Sequence, residues 1–64
     1  MINGDKIRQL RQKSGVSQYQ MAKDSDVFQP TINRIESGKI KNPKMETVMK
    51  IAKYFGIKID EIYL

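Results

Sequence analysis

The apolar residues of this 64-residue chain recur at helical spacing, which predicts an all-α protein, a compact five-helix bundle. The first helix is expected over about Asp5 to Lys13, with Ile7 and Leu10 on its inner face. Gly15 follows as a stop, because glycine readily adopts the left-handed conformation that ends many helices. A chain of this length only just offsets its conformational entropy by burial, so it needs a compact core.

Two short helices joined by a tight turn are predicted between Gln18 and Ser37. Ser17 is expected to cap the first of them, with Gln20 completing a capping box. The inner positions are apolar: Met21, Ala22, Val27, Ile32 and Ile35. The outer positions of the second helix form one exposed surface: Gln29, Pro30, Asn33 and Arg34. A helix held in this way can enter the DNA major groove, which shows a distinct donor and acceptor pattern for each base pair.

A longer fourth helix is expected over about Lys44 to Phe55, ended by Gly56. Its apolar stripe comprises Met45, Val48, Met49, Ile51, Ala52 and Phe55. Such a stripe could line a cofactor pocket, but core packing is favoured because so short a chain has little else to bury. A final short helix is expected over about Asp60 to Tyr63.

The chain resembles the Cro and phage-repressor (XRE-type) helix-turn-helix regulators of bacteria and phages. The resemblance runs almost end to end, through KIRQLRQKSGVSQYQMA, TINRIESGK and NPKMETVMKIAKYFGIKIDEIY. It implies one DNA-binding domain over residues 1–64 of the phage-repressor type, with the helix-turn-helix at about 18–37. It further implies a cytoplasmic, bacterial or phage-encoded transcription regulator that binds double-stranded DNA. We expect a repressor that binds a two-half-site operator as a homodimer, with its third helix in the major groove.

Two positions depart from the family pattern. Asp26 stands where the family usually has glycine, at a turn position that tends to need positive φ, which Asp tolerates better than most residues. Phe28 stands where Ser or Thr usually caps the third helix. Pro30 disfavours helical geometry at Gln29, so this helix is expected to begin slightly late, with Gln29 presented from its cap. Phe28 could contact a thymine methyl group or fold back over Val27, and partial exposure is expected.

Base readout is assigned to four residues of the third helix: Gln29, Pro30, Asn33 and Arg34. Gln29 can pair with adenine N6 and N7, Arg34 can reach a guanine edge or a phosphate, and Pro30 offers only apolar contact. Contacts to the DNA backbone are assigned, largely from the resemblance, to Gln18, Thr31, Lys39, Lys41 and Asn42. For each residue the alternative is a solvated side chain on an exposed face.

A salt bridge between Arg11 and Glu36 is implied by the resemblance, because in some relatives such a pair ties the first helix to the end of the third. Sequence alone would treat them as two surface charges.

Charge and composition narrow the possible functions. Twelve Lys and Arg against seven Asp and Glu give a net charge of +5, which favours polyanions. Four of the basic residues fall between Phe28 and Lys44, against Glu36 alone. The absence of Cys and His excludes a zinc finger and a thiol nucleophile, so we expect no enzyme activity, metal, cofactor or small-molecule substrate. No apolar run approaches the roughly 20 residues that span a bilayer, so no membrane partner is expected.

The apolar end of the chain suggests a dimer. A small domain cannot bury all of its last apolar residues, and a leftover apolar patch usually marks a contact surface. The predicted dimer interface comprises Ile59, Ile62, Tyr63 and Leu64. The alternative is that these residues simply close the core of one subunit.

Three other functions stay open at this stage. An antitoxin or a restriction–modification controller could share this DNA-binding fold, although the chain has no long tail for wrapping a toxin. A protein-interaction or anionic-membrane module would bind without direct base readout. That last function predicts binding that is insensitive to Gln29→Ala and Arg34→Ala.

Overall fold

The computed structural model describes residues 1–64, and it contains four α-helices followed by a single 3₁₀ turn. The helices are α1 (Gly4–Lys13), α2 (Gln18–Ser25), α3 (Gln29–Glu36) and α4 (Met45–Phe55). The expected fifth helix is instead the three-residue turn Ile59–Glu61, so the protein is all-helical but the five-helix count is not confirmed. The turn closes with a bond from the Ile62 amide to the Ile59 carbonyl, after which the chain turns back to the N-terminus.

The core lies where the four helices meet. Its ten buried apolar residues are Ile2, Ile7, Met21, Val27, Ile32, Ile35, Val48, Ile51, Ala52 and Ile62. The inner positions predicted for the helix-turn-helix are confirmed, with Ala22 partly buried against the others. Burial of this apolar surface is the main driving force for a chain with no disulfide.

The caps and turn of α2 follow the local sequence signals. The hydroxyl of Ser17 accepts a hydrogen bond from the Gln20 amide at 3.0 Å. The Gln20 side chain donates to Asp24 at 2.9 Å instead of returning to Ser17, so only half of the expected capping box forms. Asp26 ends the helix at φ 61°, which confirms the positive φ expected at this position.

The start of α3 corrects one expectation. The helix begins at Gln29 itself and is not delayed, because Pro30 occupies the second helical position, where a missing amide hydrogen leaves no bond unmade. Phe28 is the N-cap residue and supplies no capping hydrogen bond from its side chain. Its side chain is 72% exposed and so is not folded over Val27.

The inner face of α4 also differs from the expected stripe. Val48, Ile51 and Ala52 are buried, but Met45 and Met49 are exposed and Phe55 is only partly buried. The apolar residues of this helix span a wide arc, and the neighbouring helices cover only part of it. Gly56 ends the helix at φ 67°, as expected.

The two ends of the chain pair with each other. Ile2 and Tyr63 form an antiparallel bridge, with the Asn3 amide donating to the Ile62 carbonyl at 2.7 Å. The Leu64 amide donates to the Met1 carbonyl at 3.0 Å, and the Met1 amino group donates back to the Leu64 carbonyl. Backbone pairing therefore holds the last residues beside the first.

The start of α1 lies directly against the end of α3. A Cβ atom on Gly4 would overlap the carbonyl oxygen of Ile35 and lie 3.1 Å from its carbonyl carbon. Only glycine permits this close approach of two backbones. The approach places α1 so that Arg11 can reach the last turn of α3.

Candidate nucleic-acid interface

A shallow, polar depression marks the outer side of the helix-turn-helix. It encloses about 380 Å³ and is lined by Gln18, Gln29, Pro30, Asn33, Arg34 and Lys39. All six belong to the set that the sequence assigned to base or backbone contacts. The structure therefore brings the predicted residues of two helices and one loop onto a single surface.

The residues assigned to base readout are all accessible. Gln29, Pro30, Asn33 and Arg34 are exposed on the outer face of α3, while Ile32 and Ile35 on its other face are buried. Phe28 adds an exposed aromatic ring just before Gln29. Thr31 is only partly exposed. The helix thus presents amide, guanidinium and apolar groups in succession along one side.

Beneath this surface lies a buried ion pair. The Arg11 guanidinium binds the Glu36 carboxylate in a fork, with Nε to Oε2 at 2.7 Å and Nη2 to Oε1 at 2.9 Å. Its third nitrogen donates to the Val16 carbonyl at 2.9 Å. The hydrogen bond to Glu36 raises the pKa of Arg11, against the opposing effect of burial. The bridge expected from the resemblance is confirmed, and it ties α1 to α3 and to the loop before α2.

Gln18 joins this ion pair to the outer surface. Its amide nitrogen donates to Oε1 of Glu36 at 3.2 Å, and its amide oxygen accepts from Nδ2 of Asn33 at 3.3 Å. The sequence assigned Gln18 a phosphate contact and did not foresee these two bonds. One signal was available, since Glu36 lies four residues after Ile32 and so falls toward the inner side of α3.

The loop after α3 carries three of the residues predicted to contact the DNA backbone. Lys39, Lys41 and Asn42 are exposed. Their backbone is held, because the Lys39 amide donates to the Arg34 carbonyl at 2.8 Å and the Ile2 amide donates to the Lys41 carbonyl at 2.8 Å. The side chains therefore project from an anchored segment.

The residues predicted for a dimer interface divide between core and surface. Ile62 is only 1% exposed and belongs to the core, so its side chain offers almost no surface to a partner. Its burial follows from the pairing of the chain ends, which turns this position inward. Ile59 and Tyr63 are partly exposed, and Leu64 is 95% exposed.

An apolar groove lies next to Ile59. It encloses about 800 Å³, and its apolar lining residues are Met49, Ala52, Ile57 and Ile59. The unpaired apolar surface of this region thus extends along α4 as well as the chain end.

No three acidic, histidine or cysteine side chains come together in a group able to hold a metal ion. None of the helices combines the length and the apolar character that a membrane crossing requires.

Known proteins resemble this chain over most of its length. A family model described as helix-turn-helix matches residues 7–62. An uncharacterised HTH-type transcriptional regulator of Methanocaldococcus jannaschii is 37% identical over 60 residues, covering 94% of this chain and 89% of that protein. The cryptic phage CTXphi transcriptional repressor RstR of Vibrio cholerae is 39% identical over 57 residues, covering 89% of this chain and 50% of the repressor. The HTH-type transcriptional activator BcrR of Enterococcus faecalis is 38% identical over 58 residues, covering 91% of this chain and 28% of the activator.

Proposed function

The chain belongs to the helix-turn-helix family of DNA-binding transcriptional regulators, and we propose that it is a repressor that reads a specific double-stranded DNA operator with α3 in the major groove. Residues 1–64 act as one DNA-binding domain in this proposal, at work in the cytoplasm. The similarity to RstR, whose name describes a phage transcriptional repressor, fits a repressor role, whereas the similarity to BcrR, whose name describes an activator, makes activation the alternative that a reporter assay decides.

One observation carries the proposal: the outer face of α3 is free, polar and continuous with a basic loop. Gln29, Asn33 and Arg34 have no role in the core, and Asn33 has only one side-chain bond within the subunit. A major groove about 12 Å wide admits a helix with such side chains pointing outward.

Each residue has a role that its chemistry suits. Gln29 offers a donor and an acceptor to adenine, and Arg34 offers donors to guanine or to a phosphate. Phe28 and Pro30 offer apolar contact to thymine methyl groups. Backbone contacts set the register on the duplex without reading sequence, and they fall to Gln18, Thr31, Lys39, Lys41 and Asn42.

Binding as a twofold homodimer is part of the proposal. One α3 spans only a few base pairs, so two half-sites about 34 Å apart would supply the specificity that one lacks. The interface would use Ile59, Tyr63 and Leu64, which keep exposed surface, together with the apolar groove beside Ile59. The burial of Ile62 leaves its side chain out of this contact.

Selection of bound DNA from a random pool tests the function directly. The expected result is a consensus with two related half-sites about one helical turn apart. Gln29→Ala and Arg34→Ala should each weaken binding to that consensus by about 1–3 kcal/mol and relax preference at particular positions.

Arg8→Ala is the matched control for Arg34→Ala. It removes the same charge from an exposed arginine on α1, which pairs only with Asp5 at 3.2 Å. It should weaken binding only slightly and equally for all sequences. Equal losses for the two arginine variants, or a pool that yields no consensus, would contradict sequence-specific readout.

A further inference from the structure

Three side chains form a chain of hydrogen bonds that runs from the core to the reading surface. This amide relay comprises Glu36, Gln18 and Asn33, linked at 3.2 Å and 3.3 Å. We propose that Glu36 is a positioning residue that fixes, through Gln18, which atoms Asn33 presents to the DNA. The inference deepens the proposed function and rests on it for the DNA part.

The chemistry of the groups determines which one donates and which one accepts each hydrogen bond in the relay. Arginine can only donate hydrogen bonds, and an ionised carboxylate can only accept them. Glu36 therefore accepts from Arg11 and must also receive the amide nitrogen of Gln18. The amide oxygen of Gln18 then faces the other way, where it can only accept, so Asn33 must turn its nitrogen toward it.

Burial fixes the orientation of the Glu36 carboxylate, which is the inner end of the relay. The Glu36 side chain is 3% exposed and the Arg11 side chain 13%, and their forked geometry holds the carboxylate in one orientation. Gln18 is partly buried, whereas Asn33 is exposed on α3. The rigid charge pair thus sets the orientation of each amide in turn, ending at the surface.

The consequence is a defined acceptor on the outer face of α3. With its nitrogen turned to Gln18, Asn33 leaves its Oδ1 atom free for a base edge. In the major groove, adenine N6 and cytosine N4 are donors, while guanine O6 and thymine O4 are acceptors. The relay therefore gives Asn33 a preference for a base with an exocyclic amino group, adenine or cytosine.

Selection from a random DNA pool with the wild type and three variants, Asn33→Ala, Gln18→Ala and Gln20→Ala, tests this assignment. Asn33→Ala identifies the base position that Asn33 reads, by comparison with the wild-type consensus. Gln18→Ala cuts the relay but keeps the ion pair of Arg11 and Glu36. At that one position, the wild-type preference for adenine or cytosine over guanine or thymine should fall by about tenfold in Gln18→Ala.

Gln20→Ala is the matched control. It removes an amide from the same helix, but the Gln20 side chain bonds to Asp24, outside the relay. This variant should keep the wild-type preference at every position. Any phosphate contact of Gln18 affects all sequences alike, so its loss lowers affinity without changing relative preference.

Glu36→Gln offers a sharper variant. In the wild type Oε1 of Glu36 accepts from both Arg11 and Gln18, so an amide nitrogen at that position would donate to Gln18 and give up the bond from Nη2 of Arg11. Because a neutral amide can donate as well as accept, it no longer forces Gln18 to donate. In the folded variant the preference for adenine or cytosine at the Asn33 position should therefore weaken. Should this variant fail to fold, Gln18→Ala decides the matter.

The relay can also be measured without DNA. In ¹⁵N-labelled protein, the Asn33 side-chain amide should exchange with water more slowly in the wild type and in Gln20→Ala than in Gln18→Ala. Slower exchange without any DNA consensus would support the relay and overturn the proposed function. A clear consensus whose base preference at the Asn33 position survives Gln18→Ala unchanged would support the function and overturn the relay.

Discussion

The helix-turn-helix segment, residues 18–36, and the C-terminal segment, residues 45–64, follow their hydrophobic patterns to different degrees. In the first, four of the five inward positions, Met21, Val27, Ile32 and Ile35, are buried, and the fifth, Ala22, is partly buried. In the second, Met45 and Met49 are exposed although the pattern placed them inside. Ile62, placed at a contact surface, is buried.

The difference has a physical cause. α2 and α3 are eight residues each and are joined by a tight turn, and each has one narrow apolar stripe to bury. α4 carries apolar residues around much of its circumference, and its neighbours select which of them are covered. Periodicity thus places a helix along the chain, but a wide stripe leaves its buried face to tertiary packing.

The largest effect should come from breaking the ion pair beneath the helix-turn-helix. Glu36→Ala leaves Arg11 partly buried without its partner and should lower the free energy of unfolding by about 3–5 kcal/mol, as measured by denaturant titration. Glu46→Ala is the control, since its exposed pair with Lys50 at 3.5 Å should contribute less than about 0.5 kcal/mol. Similar losses in both variants would show that the burial of Glu36 does not matter.

The second test separates the two apolar residues at the end of the chain. Ile62→Ala should destabilise the protein by about 2–5 kcal/mol, because it opens a cavity in the core. Leu64→Ala, at a site that is 95% exposed, should change stability by less than about 0.5 kcal/mol. Thermal unfolding of the two variants at low protein concentration measures both changes in stability. A small loss of stability in Ile62→Ala would contradict the burial of this side chain in the core.

The third test addresses the contact between α1 and α3. Gly4→Ala forces a methyl group against the Ile35 carbonyl, so a loss of about 1–3 kcal/mol in unfolding free energy is expected. In an open helix the same change would stabilise, because alanine has the higher helix propensity. A stabilised variant would therefore mean that the two backbones can separate without loss.

The smallest effect concerns the turn between α2 and α3. Asp26→Ala should lower stability by roughly 0.5–1 kcal/mol, because alanine tolerates φ 61° less well. Asp26→Gly is the comparison, since glycine accepts this conformation. Equal losses in the two variants would mean that the backbone is not the cause.

Both Asp26 variants should also lose a pH-dependent contribution. The Lys50 ammonium lies 3.3 Å from the Asp26 carboxylate, and this hydrogen bond raises the pKa of Lys50. A group whose pKa is raised in the folded state stabilises the protein at pH values below its unfolded pKa, about 10.4 for lysine. That contribution is lost as the pH rises through the folded pKa. Denaturant titrations from pH 8 to 11 should therefore show a steeper alkaline decline in the wild type than in either variant.

Much of the fold was predictable because it depends on short-range signals. Ser17 before α2, the positive φ at Asp26 and the glycine stops at Gly15 and Gly56 are local, and the structure has each of them. The exposed face of α3 was equally predictable, since it is the complement of the buried positions Ile32 and Ile35.

The rest depends on contacts between residues far apart in the chain. Gly4 meets Ile35 across 31 positions, and nothing in either local sequence marks this approach. The bond between Gln18 and Asn33 depends on the crossing of two helices and on the buried charge of Glu36. The final turn is short because Ile62 and Tyr63 must reach the first residues, a requirement that the local sequence does not contain.

The adjacency of Met1 and Leu64 makes the molecule nearly a closed loop. Ligation of residue 64 to residue 1 through a few glycines would circularise the backbone with little distortion of the native state. Such a ring would have fewer unfolded conformations, so it should melt at a higher temperature than the linear form. It would also tolerate new ends elsewhere, for instance in the loop after α3, which would convert that basic segment into a terminus.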